Sequence, residues 1–351
     1  MRTALLAATA ALALVLPLAA QNTSPSSSEA IGQTKTPASA PSEIVAAASK
    51  ADWVAIPAED LLVMTLAPDA EGNPREVVIQ LMPAPFSQGW VHNIRLFARA
   101  KWYDGISVNR VQDNYVTQWG DPNYDNPEAT GEPKPLPEGL KVMGEAEYIL
   151  GDKPNDDYCG HHVCPPNQQV KLGSLRTFEP YATGAFVAGW PVGLGGNQVW
   201  PTHCYGMVGV GRNYSPDTGS GAELYTVIGH APRHLDRNIA LVGRVIAGME
   251  HLSSLPRGKG ALGFYAADEA HKRTPILSVR VASDLPAADP ASSSEAIGQQ
   301  TRPRFEYLST ESQTFAAYAE AIANRRDPFF ITPAGGADIC NIRVPVRRAA
   351  E

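Results

Sequence analysis

Positive charge is in short supply along this 351-residue chain: 29 Lys and Arg stand against 36 Asp and Glu, a formal charge of −7. No basic field exists to draw in nucleic acid or an anionic membrane surface, so neither is expected as a partner. Beyond residue 20 no apolar run is long enough to cross a bilayer. Several catalytic signatures are missing as well. No Cys-x-x-Cys redox pair occurs, and Ser215 and Ser220 sit among turn residues without a nucleophile elbow. Gly193-Leu194-Gly195-Gly196-Asn197 has no strand-turn-helix frame around it and reads as a plain loop, not a phosphate cradle.

Cysteine is scarce, and its setting depends on the N-terminus. Arg2, the apolar stretch Ala4 to Leu18 and the small residues Leu18-Ala19-Ala20 have the layout of a secretory signal over residues 1–20. Export, to a bacterial periplasm, is the expected destination, and it puts Cys159, Cys164, Cys204 and Cys340 in an oxidising compartment. Cys159 and Cys164 close a short loop and are natural partners, which leaves Cys204 with Cys340; spacing alone does not choose among the pairings. The intervening Gly160-His161-His162-Val163 adds zinc-type ligands. So short a loop cannot easily bring both imidazoles and both sulfurs onto one tetrahedron, and no metal or cofactor is assigned.

Residues 21–42 are rich in Ser, Thr, Pro and Ala and form a flexible linker by composition. Its Ser26-Ser27-Ser28-Glu29-Ala30-Ile31-Gly32-Gln33 recurs as Ser292 to Gln299, a duplicated linker or a docking segment with no chemistry of its own. The folded domain is assigned to residues 43–284. Leu61 to Leu66 and Glu76 to Leu81 read as strands of a hairpin around a Pro-Asp-Gly-Asn-rich turn, and Val91, Ile94, Phe97 and Ala98 recur at helical spacing. Residues 122–201 are Gly-, Pro- and Asn-rich with weak periodicity, a long looped insertion. Strand pattern resumes at Tyr205 to Gly211, Leu224 to Ile228, Ile239 to Val245 and Ile276 to Val281. A second linker, 285–303, leads to a C-terminal extension, 304–351. There Thr310 and Gln313 have capping-box spacing, Phe315, Tyr318 and Ile322 share a helical face that Pro328 terminates, and Ile339 to Val344 reads as a last strand. The extension is too small for a core of its own and is expected to dock on the main domain.

Tyr103-Asp104-Gly105, Val108-Asn109-Arg110-Val111, Tyr115 and Gln118-Trp119-Gly120-Asp121 resemble a tract of the cyclophilin-type peptidyl-prolyl isomerases, roughly Y-Y-D-G-x-x-F-H-R-V-x-x-x-F-x-x-Q-G-G-D. Gly206 to Arg212, Asp217 to Tyr225, Pro232 to Asp236 and Val242 to Met249 resemble later family segments, in family order. The resemblance implies a mainly β fold: a closed antiparallel barrel with flanking α-helices, here carrying the insertion and the extension. It also implies peptidyl-prolyl cis-trans isomerase activity on proline-containing polypeptides, without a cofactor. Arg110 and Gln118 match the family's catalytic arginine and substrate-holding glutamine. Tyr115, Val116, Tyr225 and Leu235 match the proline pocket, and Gly211, Arg212, Glu223 and Ile239 match further substrate-facing positions.

The departures are Val108-Asn109 for Phe-His, Arg212 for Asn, Glu223 for Gln, Ile239 for His and His234 for an aromatic. Gly209 and Ala222 replace small serines and are expected to have little effect. Glu223 brings a negative charge close to Arg110, and a pair between them either orients or neutralises the guanidinium. These changes motivate a competing expectation, a non-catalytic peptide-binding module or periplasmic chaperone on the same barrel.

Overall fold

Alternating and continuous apolar runs become eight antiparallel strands: β1 (Leu61–Leu66), β2 (Arg75–Leu81), β3 (Ser107–Val111), β4 (Val116–Gly120), β5 (Met207–Val210), β6 (Leu224–Val227), β7 (Leu241–Ala247) and β8 (Ile276–Val281). They are ordered β8-β1-β2-β7-β5-β6-β4-β3 in this computed structural model. The sheet curls until its ends meet. Ile276 N donates to Ile106 O at 2.8 Å, Val108 N donates to Thr274 O at 2.9 Å, and Ser107 bridges Pro275. The result is the nearly closed barrel the family resemblance implies, and closure removes exposed strand edges.

The structure describes residues 38–124, 129–151, 175–287 and 300–349, with the short strands Asp157–Cys159, His162–Cys164 and Val170–Lys171 in the insertion. The signal segment, both copies of the repeated octapeptide, and the side chains of Cys159, His161, His162 and Cys164 lie outside the described residues. The expected Cys159–Cys164 bond lies outside them too.

The β1–β2 hairpin has the predicted turn, where Asp69 Oδ1 accepts from Glu71 N and Asn73 N at 3.0 and 2.7 Å. The helix Gln88–Arg99 buries Trp90, Val91, Ile94, Phe97 and Ala98 in the main core, on the face its spacing predicts.

The insertion departs from the loop expected of it. Thr177–Phe178, Thr183–Val187, Trp190–Gly195 and Gln198–Pro201 form a four-stranded antiparallel meander, with Gly196-Asn197 as one hairpin turn. Gly184, Gly193 and Gly195 are packing positions within its strands. A Cβ at Gly193 would lie 2.5 Å from Trp200 Nε1, so the indole rests directly on the backbone there.

The C-terminal extension shares a core with two other parts of the chain. Phe305–Leu308 is the middle strand between Trp53–Ala55 and Val346–Arg348. The helix Gln313–Ala323 packs Phe315 and Tyr318 against Trp53, Phe186, Leu308, Ile339 and Ile342. Ser312, not Thr310, caps this helix, its Oγ accepting from Phe315 N at 3.0 Å, and the helix stops well before Pro328. Ile339–Asn341 is a 3-10 turn, so the final strand lies beyond the segment predicted for it. The Cys204–Cys340 disulfide, with Cα atoms 5.0 Å apart, joins this layer to the loop before β5.

Candidate active site

A β-bulge aims the key arginine. Along β3 and β4, Val108 pairs with Trp119 and Arg110 with Gln118, which makes Asn109 the extra residue. Asn109 is 1 % exposed and satisfied internally: Ser107 Oγ donates to its Oδ1 at 2.7 Å, and its Nδ2 donates to Gly120 O at 3.0 Å. Val108, beside it, belongs to the barrel core. The bulge thus leaves Arg110 facing outward, opposite Gln118.

The two-residue period of β4 and β6 does the rest. Thr117 and Thr226 are fully buried. The alternate residues Val116, Tyr225 and Val227 join Tyr115 and Ile239 in a small apolar cluster of their own, separate from the barrel interior. Tyr225 pairs directly with Gln118, and Val227 with Val116. Leu235 enters from the 3-10 turn Arg233–Leu235.

Arg110, Tyr115, Val116, Gln118, Gly211, Arg212, Glu223, Tyr225, Leu235 and Ile239 all line one cavity of about 500 Å³. Every residue that the sequence analysis assigned to the groove therefore lines this one cavity. Leu262 and Phe264, which the sequence analysis did not single out, complete the wall beside Arg110, and Ala129 contributes from the insertion. Phe264 carries no local signal, because the chain segment that brings it to β3 is far away in sequence and pairs with it through a single bridge.

The guanidinium is held by neutral groups. Arg110 Nε donates to Leu262 O at 2.7 Å, Nη1 to Gln118 Oε1 at 3.1 Å and Nη2 to Gln112 Oε1. Its central carbon lies 5.6 Å from the Tyr115 ring centroid and 5.5 Å from that of Phe264. These bonds engage three of the five guanidinium donors. Burial pushes the pKa of Arg110 down from the ordinary arginine value, and the group stays charged. Among the described residues Arg110 has no carboxylate partner. Gln118 intervenes, its Nε2 donating to Glu223 Oε2 at 3.3 Å while Oε1 receives Arg110. Glu223 lies against Gly120, where a Cβ would meet its carboxylate at 1.8 Å.

Other departures from the family pattern also find a place. Arg212 turns to the rim and donates to Asn238 O at 3.0 and 2.8 Å and to Asn213 O at 2.6 Å. His234 stacks on Tyr115, with ring planes 11° apart. Gly209 matters more than its small size implies. A Cβ there would lie 2.3 Å from Tyr225 Cζ, so only glycine admits the ring as it lies. Tyr225 is 5 % exposed, and its hydroxyl is 2.9 Å from Nε2 of His203, a fully buried residue with no motif around it to mark it in the sequence.

With this geometry, the comparisons with known proteins fall into line. Residues 73–281 match the family model described as cyclophilin type peptidyl-prolyl cis-trans isomerase/CLD. No curated protein matches the chain. Among solved structures, cyclophilin AquaCyp293 from Hirschia baltica is similar at 17 % identity, covering 85 % of this chain and 95 % of its own, with a TM-score of 0.53. A Cryptosporidium parvum cyclophilin type peptidyl-prolyl cis-trans isomerase is similar at 12 % identity over 62 % of this chain and 98 % of its own, with a TM-score of 0.33. At such identities the first of these bears on the fold alone. The family model spans more than half of the sequence, and the chain belongs to the cyclophilin-type peptidyl-prolyl cis-trans isomerases.

Proposed function

We propose that the groove is the isomerase site, with Arg110 as the donor and Tyr115, Val116, Tyr225, Leu235 and Ile239 seating the proline ring. Rotation about the bond before proline has a barrier of about 18–20 kcal/mol, because resonance gives the bond partial double-bond character. No nucleophile, proton transfer or metal is needed to lower it. As the amide twists, the prolyl nitrogen regains its lone pair, and a fixed N–H donor stabilises that state more than the planar one. The two guanidinium donors left over by Leu262, Gln118 and Gln112 are available for this. Gln118 is fixed between Arg110 and Glu223 and borders the path of the substrate backbone.

The observation that carries this reading is a charged guanidinium, tethered by neutral acceptors and with no carboxylate partner among the described residues, at the edge of an apolar cluster. Exported polypeptides are the proposed substrates, supported by the leader-like N-terminus and by the Cys204–Cys340 disulfide, which an oxidising compartment preserves.

The test is a proline-isomerisation assay on Xaa-Pro tetrapeptides. Arg110→Ala is expected to lower kcat/KM by about 10²–10³, the scale for removing one preorganised donor. An Arg110→Ala enzyme as active as the wild type would overturn the assignment. Wild-type activity at background level would leave a peptide-binding module in its place.

A further inference from the structure

Behind the groove, buried polar groups run in a chain from the pocket floor to the accessory layer. Tyr225 Oη lies 2.9 Å from His203 Nε2, and His203 Nδ1 lies 2.9 Å from Asp236 Oδ1, which also accepts the His203 backbone N–H at 2.9 Å. Arg233 Nε donates to the other oxygen of Asp236 at 2.6 Å, and its Nη1 donates to Glu179 Oε2 of the insertion at 2.6 Å. His203 is 0 % exposed and immediately precedes Cys204, whose disulfide partner Cys340 has its Sγ 3.9 Å from His203 O.

These contacts fix the protonation pattern. Against the upward push of burial, the His203 and Arg233 contacts hold Asp236 below the usual carboxylate range, so it is an acceptor only. Nδ1 of His203 therefore carries the proton that Asp236 receives, which leaves Nε2 as a lone-pair acceptor for the Tyr225 O–H. The order hydroxyl–imidazole–carboxylate is that of a hydrolase triad, but this hydroxyl is directed into the core. It is an anchor and not a nucleophile. Gly209 supplies the space in which the anchored ring lies.

We propose that His203 is a positioning residue for the isomerisation reaction, holding the Tyr225 ring at the tilt that forms the floor of the proline pocket. This rests on the groove being the isomerase site. An anchored ring favours proline equally in the planar and twisted states, so its loss should appear in KM more than in kcat. A neutral His203 accepts the Tyr225 O–H at Nε2, and a doubly protonated ring would reverse that bond by donating to the phenolic oxygen, so the anchor persists in either state. Burial depresses the His203 pKa below the ordinary 6.5, with Arg233 and His234 adding to the effect and Asp236 opposing it. The imidazole therefore rests in its neutral form, accepting from Tyr225, at neutral pH.

The test is a double-mutant cycle on tetrapeptide isomerisation, with Arg110→Ala run alongside. His203→Gln is expected to raise KM about fivefold to tenfold, the effect of one hydrogen bond. In a Tyr225→Phe background the same change should have almost no further effect. An equal effect in both backgrounds, or none in the wild-type background, would overturn the proposal. If His203→Gln does not fold, Tyr225→Phe, which removes the anchored hydroxyl itself, decides. A KM raised severalfold with kcat kept supports the proposal, and an unchanged KM overturns it. An active Arg110→Ala enzyme would instead show that the groove itself had been misassigned.

Discussion

At the scale of single residues, the site depends on what is small as much as on what is charged. Tyr225 can lie across the strand pair β5–β6 because Gly209 has no Cβ, and Glu223 can pack against Gly120 for the same reason. Gly209→Ala must displace a ring that His203 holds from behind. It is expected to cost about 1–3 kcal/mol, as overpacking of a tight site does, and to raise KM for Xaa-Pro peptides; urea unfolding and the isomerisation assay measure the two effects. Arg110, Gln118, Tyr115 and Tyr225 were legible in the sequence because each sits in a short tract with neighbours that mark it. His203 and Phe264 were not, because each reaches the site alone and through contacts distant in sequence.

Among the elements, the hydrophobic pattern was a good guide where it is unbroken and a poor one where glycines interrupt it. The β1–β2 hairpin, the helix Gln88–Arg99 and β8 lie where their patterns put them. The bulge at Asn109 has no marker in the sequence, because only the pairing register with β4 reveals that Val108 and Asn109 stand against one residue. The sheet within the insertion was hidden by Gly184, Gly193 and Gly195, whose usual meaning is a turn but which here make room for Thr177 and Trp200. In the tail, Phe315 is fully buried between Phe186 of the insertion and Tyr318 of its own helix. Phe315→Ala should cost about 3–5 kcal/mol, since the cavity left behind is walled by three separate chain segments and collapses poorly. Denaturant unfolding is the measurement, and a cost below about 1 kcal/mol would mean that the tail adds little to the fold.

Across the whole molecule, residues 38–55, the insertion and the C-terminal extension share one apolar cluster beside the barrel, and Cys204–Cys340 covalently links that layer to the loop before β5. The bond joins positions 136 residues apart, so it restricts the unfolded chain strongly. A Cys204→Ser/Cys340→Ser double variant is expected to lose about 2–5 kcal/mol of stability, with a lower thermal midpoint that does not depend on reductant. An unchanged midpoint would show that the apolar contacts alone secure the layer.

By itself the sequence determined the barrel family, the arginine and glutamine of the groove and the aromatic character of the pocket, because the resemblance to the family is carried by short local tracts. Only the tertiary structure decided that Glu223 meets Gln118 while Arg110 is tethered by neutral acceptors, that Gly209 is a fitted space, and that His203 stands behind Tyr225. Those outcomes depend on distances between segments far apart in the chain, which strand register and packing set and no local pattern encodes.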